Sequence, residues 1–367
     1  MALPDIIYEG SVKNVRGKEG KTPYIFEYSD RYSIFDWGQM PDELKNKGES
    51  LAFLAWFFFN YLRGKGFADH MAGLVDTALK PVSVDGARIV PSKFLQVQSV
   101  EVLKPQSETQ DGKLTWNYSA YKSRPVNALV PLEVIFRFGV PEGSSLLKRT
   151  ASPEYCREIG LTHEPKTGDT FSAPIIEFST KLENKDRYIS RAEACDIAGL
   201  SETEMKKLHS LAARAALALK ECVAGLGIEL WDGKFEFAFT QAGDAREFML
   251  VDSIGPDELR LTVNGIHLSK EMLRAHYKGS HWLSALEKAK ALGDARCEKD
   301  WKRICMEELH AAPERLPQAV KEKAEMIYMT LSEALCRKYL AKSIFPDAWT
   351  IPQIVSALEG IQRKTAA

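Results

Sequence analysis

The chain has no apolar run long enough to cross a bilayer. Its most hydrophobic stretch, residues 51–62, is about twelve residues against the roughly 20 that a spanning helix needs. It reads as a buried helix, and no membrane partner is expected. The opening Met-Ala-Leu-Pro-Asp carries neither a basic nor an apolar segment, so no secretory signal is expected. An excess of charge is missing as well: 49 Lys plus Arg stand against 50 Asp plus Glu, a formal net charge of −1. That balance gives no general attraction to nucleic acid, although a local basic pocket is compatible with it. The cysteines lack any paired spacing. Cys156, Cys195, Cys222, Cys297, Cys305 and Cys336 form no C-x-x-C and no Cys/His ligand pattern, which argues for free thiols in a reducing cytoplasm and against structural zinc. Neither a Walker A sequence nor a Rossmann G-x-G-x-x-G occurs, so a phosphate site must be of another kind.

What is there belongs to an ordinary globular protein, 45% apolar and 27% charged. A chain of 367 residues allows two domains, or one large domain with additions. Short strands are predicted within 6–38, most clearly at 24–28, and again within 68–104, including 96–103. Residues 131–138 form a further β-type run. Helical periodicity covers 49–63 and 202–225, the latter stopped by Gly225 and Gly227. Beyond residue 265 the helical pattern dominates, near 269–292, 298–310, 317–342 and 350–362. Polar, turn-rich 105–113 predicts an exposed loop. Strands first, then a helix and hairpin, then helices is an α+β order, not a βαβ alternation. Periodicity leaves two uses for the last helices, covering the core or forming the interface of a homo-oligomer.

The strongest chemical pattern lies in residues 228–257. Asp232, Lys234 and Glu236 alternate and so share one strand face, while Trp231, Phe235, Phe237 and Phe239 take the other. A return strand over 248–251 would end at Asp252, and closure near Gly243 would set Asp252 opposite Lys234. Three carboxylates and an ammonium on one face suit a divalent cation and a polyphosphate. The same alternation also describes cross-strand ion pairs on a solvated face. Gly10 with Lys13 places a turn glycine and a cation where a hairpin could cover phosphates; a surface lysine after a turn glycine is the commoner origin of such a pair. Gly143, Ser144, Ser145, Lys148 and Arg149 supply amides, hydroxyls and cations suited to a phosphate monoester; the alternative is a helix cap followed by exposed basic residues. None of His209, His267, His276 and His281 has a carboxylate or second His at convincing ligand spacing in the sequence, and all read as structural.

Taken in order, these pieces resemble the SAICAR synthetase family. Tyr8-Glu9-Gly10-Ser11-Val12-Lys13 is similar to its Y-x-G-K-x-K opening. Asp30-Arg31-Tyr32-Ser33-Ile34-Phe35-Asp36 is similar to D-R-x-S-x-[FY]-D, and Lys47-Gly48 to the K-G that follows. Glu133 to Arg137 and Gly143 to Arg149 resemble E-x-V-x-R and G-S-L-x-K-R. Thr180-Lys181 resembles T-K, Asp232-x-Lys234-x-Glu236 resembles D-x-K-x-E, and Asp252 to Arg260 resembles D-E-x-x-P-D-x-x-R. Residues 268–274 resemble the family's next helix.

The resemblance implies a two-lobed α+β fold with antiparallel sheets and a helical C-terminal extension. Residues 1–104 would be a β-rich lobe covering the nucleotide, 105–265 an α+β lobe with the substrate and Mg–ATP site, and 266–367 helices packed on the core. It also implies an ATP-dependent ligase joining carboxyaminoimidazole ribotide to L-aspartate through an acyl phosphate. Lys13 and Gly10 would serve the ATP phosphates, and Glu236 and Asp252 would bind Mg²⁺. Lys234 would bridge nucleotide and acceptor, with Asp232, Asp36 and Lys181 beside it. Arg137, Ser144, Ser145, Lys148, Arg149, Asp257 and Arg260 would hold the ribotide phosphate or carboxylates. Several positions depart from the pattern. Ser11 stands for the first lysine of G-K-x-K, Ser253 for the glutamate after Asp252, Leu259 for the serine before Arg260, and Lys185-Asp186 for His-Asp. These leave open a related ligase or kinase acting on another small anion.

Overall fold

Two large antiparallel sheets and a separate two-stranded hairpin make up the β-structure of the described residues, as seen in a computed structural model that describes residues 3–110, 113–296, 298 and 300–362. Strands β1 (Ile6–Glu9), β2 (Lys13–Lys18) and β3 (Lys21–Tyr28) run up and down. After helix α1 (Lys47–Arg63), β4 (Met71–Val75) and β5 (Phe94–Val97) complete a five-stranded sheet in the order β1-β2-β3-β5-β4. Helix α1 starts with Glu49 in its first turn and ends with Arg63 in its last, matching the helix dipole. Its Phe53, Phe58 and Phe59 are fully buried, each contributing roughly 1.5–3 kcal/mol. The helix lies on β3, β4 and β5 and also touches helices of the second half. The strand expected over 96–103 stops at Val97.

The expected loop at 105–113 is instead an exposed hairpin, β6 (Gln106–Gln110) and β7 (Lys113–Asn117). Its polar residues hide the strand signal, but Trp116 of β7 packs against the core and holds the arm in place. Then come β8 (Leu132–Gly139), α2 (Leu146–Arg149), α3 (Pro153–Glu158), β9 (Thr170–Thr180), β10 (Tyr188–Ile189), α4 (Arg191–Ala198) and α5 (Glu202–Ala224). The long strand β11 (Glu229–Ala242) is followed by β12 (Ala245–Val251), β13 (Leu259–Val263) and β14 (Ile266–His267). The order is β10-β9-β8-β11-β13-β14, with β12 paired to the second half of β11. Ser201 and Glu204 close a capping box at the start of α5, and the helix covers β8, β9 and β11.

The hairpin register corrects one expectation. Glu236 pairs with Val251, so Asp252 lies past the strand end and not opposite Lys234. A left-handed backbone at Asp252 (φ 67°) turns the chain there.

Helices α6 (Glu271–Tyr277), α7 (His281–Arg296), α8 (Trp301–Arg303), α9 (Gln318–Leu335) and α10 (Ile351–Gln362) close the fold. Ile327, Tyr328, Leu331 and Leu335 of α9 are buried, and α9 packs on α1 and α10. Residues of these helices belong to the same buried cluster as the sheets. Among the described residues no helix is long and apolar enough to cross a membrane. Cys156, Cys195, Cys222, Cys305 and Cys336 are free thiols; Cys297 lies outside the described residues.

Candidate active site

Strand β11 is the spine of the site because it pairs with β8 and β13 over its first half and with β12 over its second. That fork brings charges from β8, β11 and β13, and from the segment just past β12, onto one face. Asp232 bonds Arg137 of β8 at 3.0 Å and lies 3.5 Å from Arg260 of β13. Two residues on, Lys234 meets Glu133 of β8 at 2.5 Å. Lys181, just past β9, reaches both Glu133 (3.2 Å) and Glu236 (2.6 Å). Asp252 accepts from Lys13 of β2, in the other sheet. The result is a line of ion pairs from β13 to β2. Each carboxylate along it faces a cation, which is what burial of so many charges requires.

At the β2 end, Lys13 also donates to Ser253 Oγ (3.0 Å), which pairs in turn with the Tyr28 hydroxyl (2.7 Å). Gly10 makes the preceding turn possible, since a Cβ there would stand 2.6 Å from the Lys13 carbonyl. Burial opposes the Lys13 charge, but Asp252 outweighs it and raises the pKa. Burial would likewise raise Asp252, yet Lys13 and Lys181 hold its carboxyl at about 2. Glu236 is pushed up, first by burial and then by Asp252. A buried carboxylate, Glu236, and a half-buried one, Asp252, that repel each other suit a divalent cation completing its shell with phosphate oxygens. Among the described residues no group of three or more His, Cys, Asp or Glu could hold a metal by itself.

Beside this line opens a cleft of about 860 Å³. One end is cationic. Arg137 donates to Tyr188 (2.9 Å) and Ser145 (3.4 Å) and pairs with Glu177 behind it. Arg260 faces Asp232 through Nε at 3.5 Å, and its buried Nη1 has no hydrogen-bond acceptor among the described residues. Donors so placed match an anion. Toward the middle, burial and then Glu133 push the Asp186 carboxyl up to about 6. At the rim, Lys290 lies 2.8 Å from Asp36 and, against the effect of burial, keeps that carboxyl below its ordinary range.

The fold thus collects on this cleft Asp36, Arg137, Ser145, Asp232, Lys234, Asp257 and Arg260, with Lys13, Lys181, Glu236 and Asp252 adjoining through the ion-pair line. Three sequence candidates sit differently. Ser144 is buried and its Oγ accepts from the Leu146 amide (3.4 Å), while Lys148 is exposed and off the cleft. Arg149 stacks on Tyr188 at 3.4 Å and pairs with Glu177 at 2.6 Å, so it buttresses Arg137 from behind. Residue patterns alone did not select Glu133, Asp186, Tyr188, Glu258 or Lys270 as site residues. Glu133 and Asp186 carried a signal, since both fall in the motif segments quoted above. Glu258 and Lys270 also fall in quoted segments, but at positions those patterns leave unspecified, and only the cleft shared by the β12–β13 turn and the start of α6 singles them out.

Residues 6–291 match the family model of SAICAR synthetase. A protein of Archaeoglobus fulgidus, provisionally named a phosphoribosylaminoimidazole-succinocarboxamide synthase, is 35% identical over 361 residues, covering 96% of this chain and 99% of the relative. The Thermoplasma acidophilum phosphoribosylaminoimidazole-succinocarboxamide synthase is 28% identical, covering 90% and 98%. Among solved structures, a SAICAR synthetase in complex with ADP is similar at a TM-score of 0.52 and 26% identity, covering 74% of this chain and 90% of that one. The order of motifs, the paired sheets and these likenesses agree: the chain belongs to the SAICAR synthetase family, the ATP-dependent ligase step of purine biosynthesis.

Proposed function

We propose that the cleft condenses carboxyaminoimidazole ribotide with L-aspartate at the expense of ATP. The observation that carries this reading is the meeting of Lys13, from one sheet, with Glu236 and Asp252, from a hairpin of the other. A cation for phosphates and two carboxylates for Mg²⁺ then stand at the end of an anion-binding cleft. The complex of the related structure with ADP supports a nucleotide as ligand.

In this reading Lys13 binds the ATP phosphates, with the turn at Gly10 over them. Glu236 and Asp252 hold Mg²⁺, which supplies charge neutralisation on the polyphosphate when bound. Arg137, Ser145 and Arg260 grip the ribotide phosphate or carboxylates, and Arg149 keeps Arg137 aligned through Glu177 and Tyr188. Lys234, released from Glu133 by the arriving substrates, lies between nucleotide and acceptor and steadies charge as the phosphoryl group passes to the carboxylate. Lys181 spans Glu133 and Glu236 and keeps the two halves of the line in register. Amine attack on the acyl phosphate completes the amide. The protein mainly aligns anions and excludes water, the part of such a reaction that positioning can accelerate.

The test is ADP release by the purified protein with Mg–ATP, carboxyaminoimidazole ribotide and L-aspartate, each omitted in turn. Turnover that requires all three is expected. Nucleotide binding without that turnover would move the search to another small anionic acceptor.

A further inference from the structure

The β12–β13 turn holds a carboxyl that nothing above uses. Ser253, at the position where the resemblance has glutamate, contributes only a hydroxyl, already taken by Lys13 and Tyr28. Asp257 is committed too, to Lys47 and Tyr328, each at 2.8 Å. Glu258 alone on this turn is uncommitted. Its side chain makes no hydrogen bond or ion pair among the described residues, its Oε2 is shut from solvent, and it lines the cleft together with Lys234. Its backbone is fixed there: the Glu258 amide donates to Gly255 O (3.0 Å), and its carbonyl accepts from the Lys234 amide (3.2 Å). Lys270, at the start of α6, lines the same cleft and is also without a side-chain hydrogen bond or ion pair among the described residues.

An uncommitted carboxyl and an uncommitted ammonium in one cleft complement a zwitterionic amino acid, which brings its own ammonium and carboxylates. We propose that Glu258 is the proton acceptor for the amine of the amino-acid substrate, with Lys270 taking one of that substrate's carboxylates. This rests on the ligase reading above. The amine arrives as an ammonium and has no lone pair until a proton leaves. Glu258 takes that proton. The nitrogen then forms a C–N bond to the acyl phosphate carbon as the C–O bond to phosphate breaks, and the phosphate departs with that electron pair and the second nitrogen proton.

The surroundings suit the role. Facing Glu258 are Asp257 on its own turn, Lys270 of α6, Asp252 after β12 and Lys13 of β2, with Tyr28 of β3 and Tyr328 of α9 near enough to feel its charge. Burial first, then Asp257, pushes its carboxyl up to about 8, near what an efficient proton acceptor needs around neutrality.

Hydroxylamine, uncharged near neutral pH and needing no deprotonation before attack, separates this role from any that serves the nucleotide or the acyl phosphate, and the pH profile with aspartate separates it from mere binding of the amino acid. ADP release is measured for the full chain and for Glu258→Gln, with Mg–ATP, carboxyaminoimidazole ribotide and either L-aspartate or hydroxylamine, across neutral to alkaline pH. Glu258→Gln should lower aspartate-dependent turnover ~100-fold or more and flatten its pH profile, while hydroxylamine-dependent turnover stays within about threefold of wild type. Glu258→Ala, which introduces no amide, must show the same split. Equal losses with both nucleophiles, or no loss with aspartate, overturn the assignment. A wild-type protein inert with both would instead sink the ligase reading itself.

Discussion

The Nζ of Lys47 lies 2.8 Å from Asp257 Oδ2, and the lysine side chain is wholly buried. The other Asp257 oxygen accepts from Tyr328 at 2.8 Å. Three distant segments, the start of α1, the β12–β13 turn and α9, are tied at one carboxylate. Burial opposes that charge, but Lys47 outweighs it and keeps the Asp257 pKa low. Lys47→Met should therefore strand a buried carboxylate and cost about 3–5 kcal/mol. Tyr328→Phe removes one bond to a charged group and should cost about 1.5–3 kcal/mol. Urea unfolding of both variants checks the order; a larger loss in Tyr328→Phe would contradict it.

Glu236 and Asp252 make a second prediction. Glu236→Gln and Asp252→Asn should each fold and lose ATP turnover by at least about 100-fold, because each would remove half of the charge that the proposed Mg²⁺ site offers. Circular dichroism with ADP release on the same sample decides it. Asp252→Asn should also raise the KM for ATP, since Lys13 loses the partner that orients it. Normal turnover in both variants would sink the metal assignment.

Much of this site was legible before folding because alternation along a strand maps directly onto one face. Asp232, Lys234 and Glu236 are collinear in sequence and in space, and their partners Arg137 and Glu133 fall in one short run of β8. The place of Asp252 was not legible. Its register depends on a turn at 243–244 and on a left-handed residue after the strand, and neither is set by hydrophobic pattern. The 106–117 hairpin was hidden for a similar reason: polar strands held by one tryptophan read as loop. Glu258 and Lys270 are an ordinary acid and base in sequence, and only the packing of α6 against the sheet gives both the same cleft.

Stability in acid should depend measurably on Glu204. Burial alone would raise its pKa, but Arg246, the Ser201 amide and the Ser201 hydroxyl outweigh it and hold the carboxyl at about 2, against an ordinary 4.5. A depressed folded-state pKa gives stability that is complete above the unfolded value and disappears as pH falls through the folded one. The contribution of this group should thus fade between about pH 4.5 and about pH 2. Glu204→Gln, which loses charge-assisted bonds to Arg246 (2.9 Å) and Arg124 (2.8 Å), should be less stable at neutral pH by about 1.5–3 kcal/mol. Denaturant midpoints against pH check both parts: the variant's curve should be flatter over that window, and parallel curves would refute the linkage.

Gly233 separates a role in the site from a role in the fold. It lies between Asp232 and Lys234, and a Cβ there would stand 2.6 Å from the Phe136 ring, 2.7 Å from Leu259 and 3.0 Å from the Glu258 carbonyl. Its glycine is demanded by close approach of β8 and β13, not by backbone angle. Gly233→Ala should force those strands apart, costing about 1–3 kcal/mol. Because the displaced neighbours carry Arg137, Arg260 and Glu258, turnover at a temperature where the variant is folded should fall as well. Gly243 is the comparison. Its φ is +58° at the β11–β12 turn, and a Cβ there would meet nothing within 4 Å, so Gly243→Ala strains the backbone by about 1–3 kcal/mol far from the cleft. It should lower the melting temperature and leave kcat unchanged. If both alanines reduce stability alike and neither changes kcat, the spacing of β8 and β13 at Gly233 does not govern the geometry of the site.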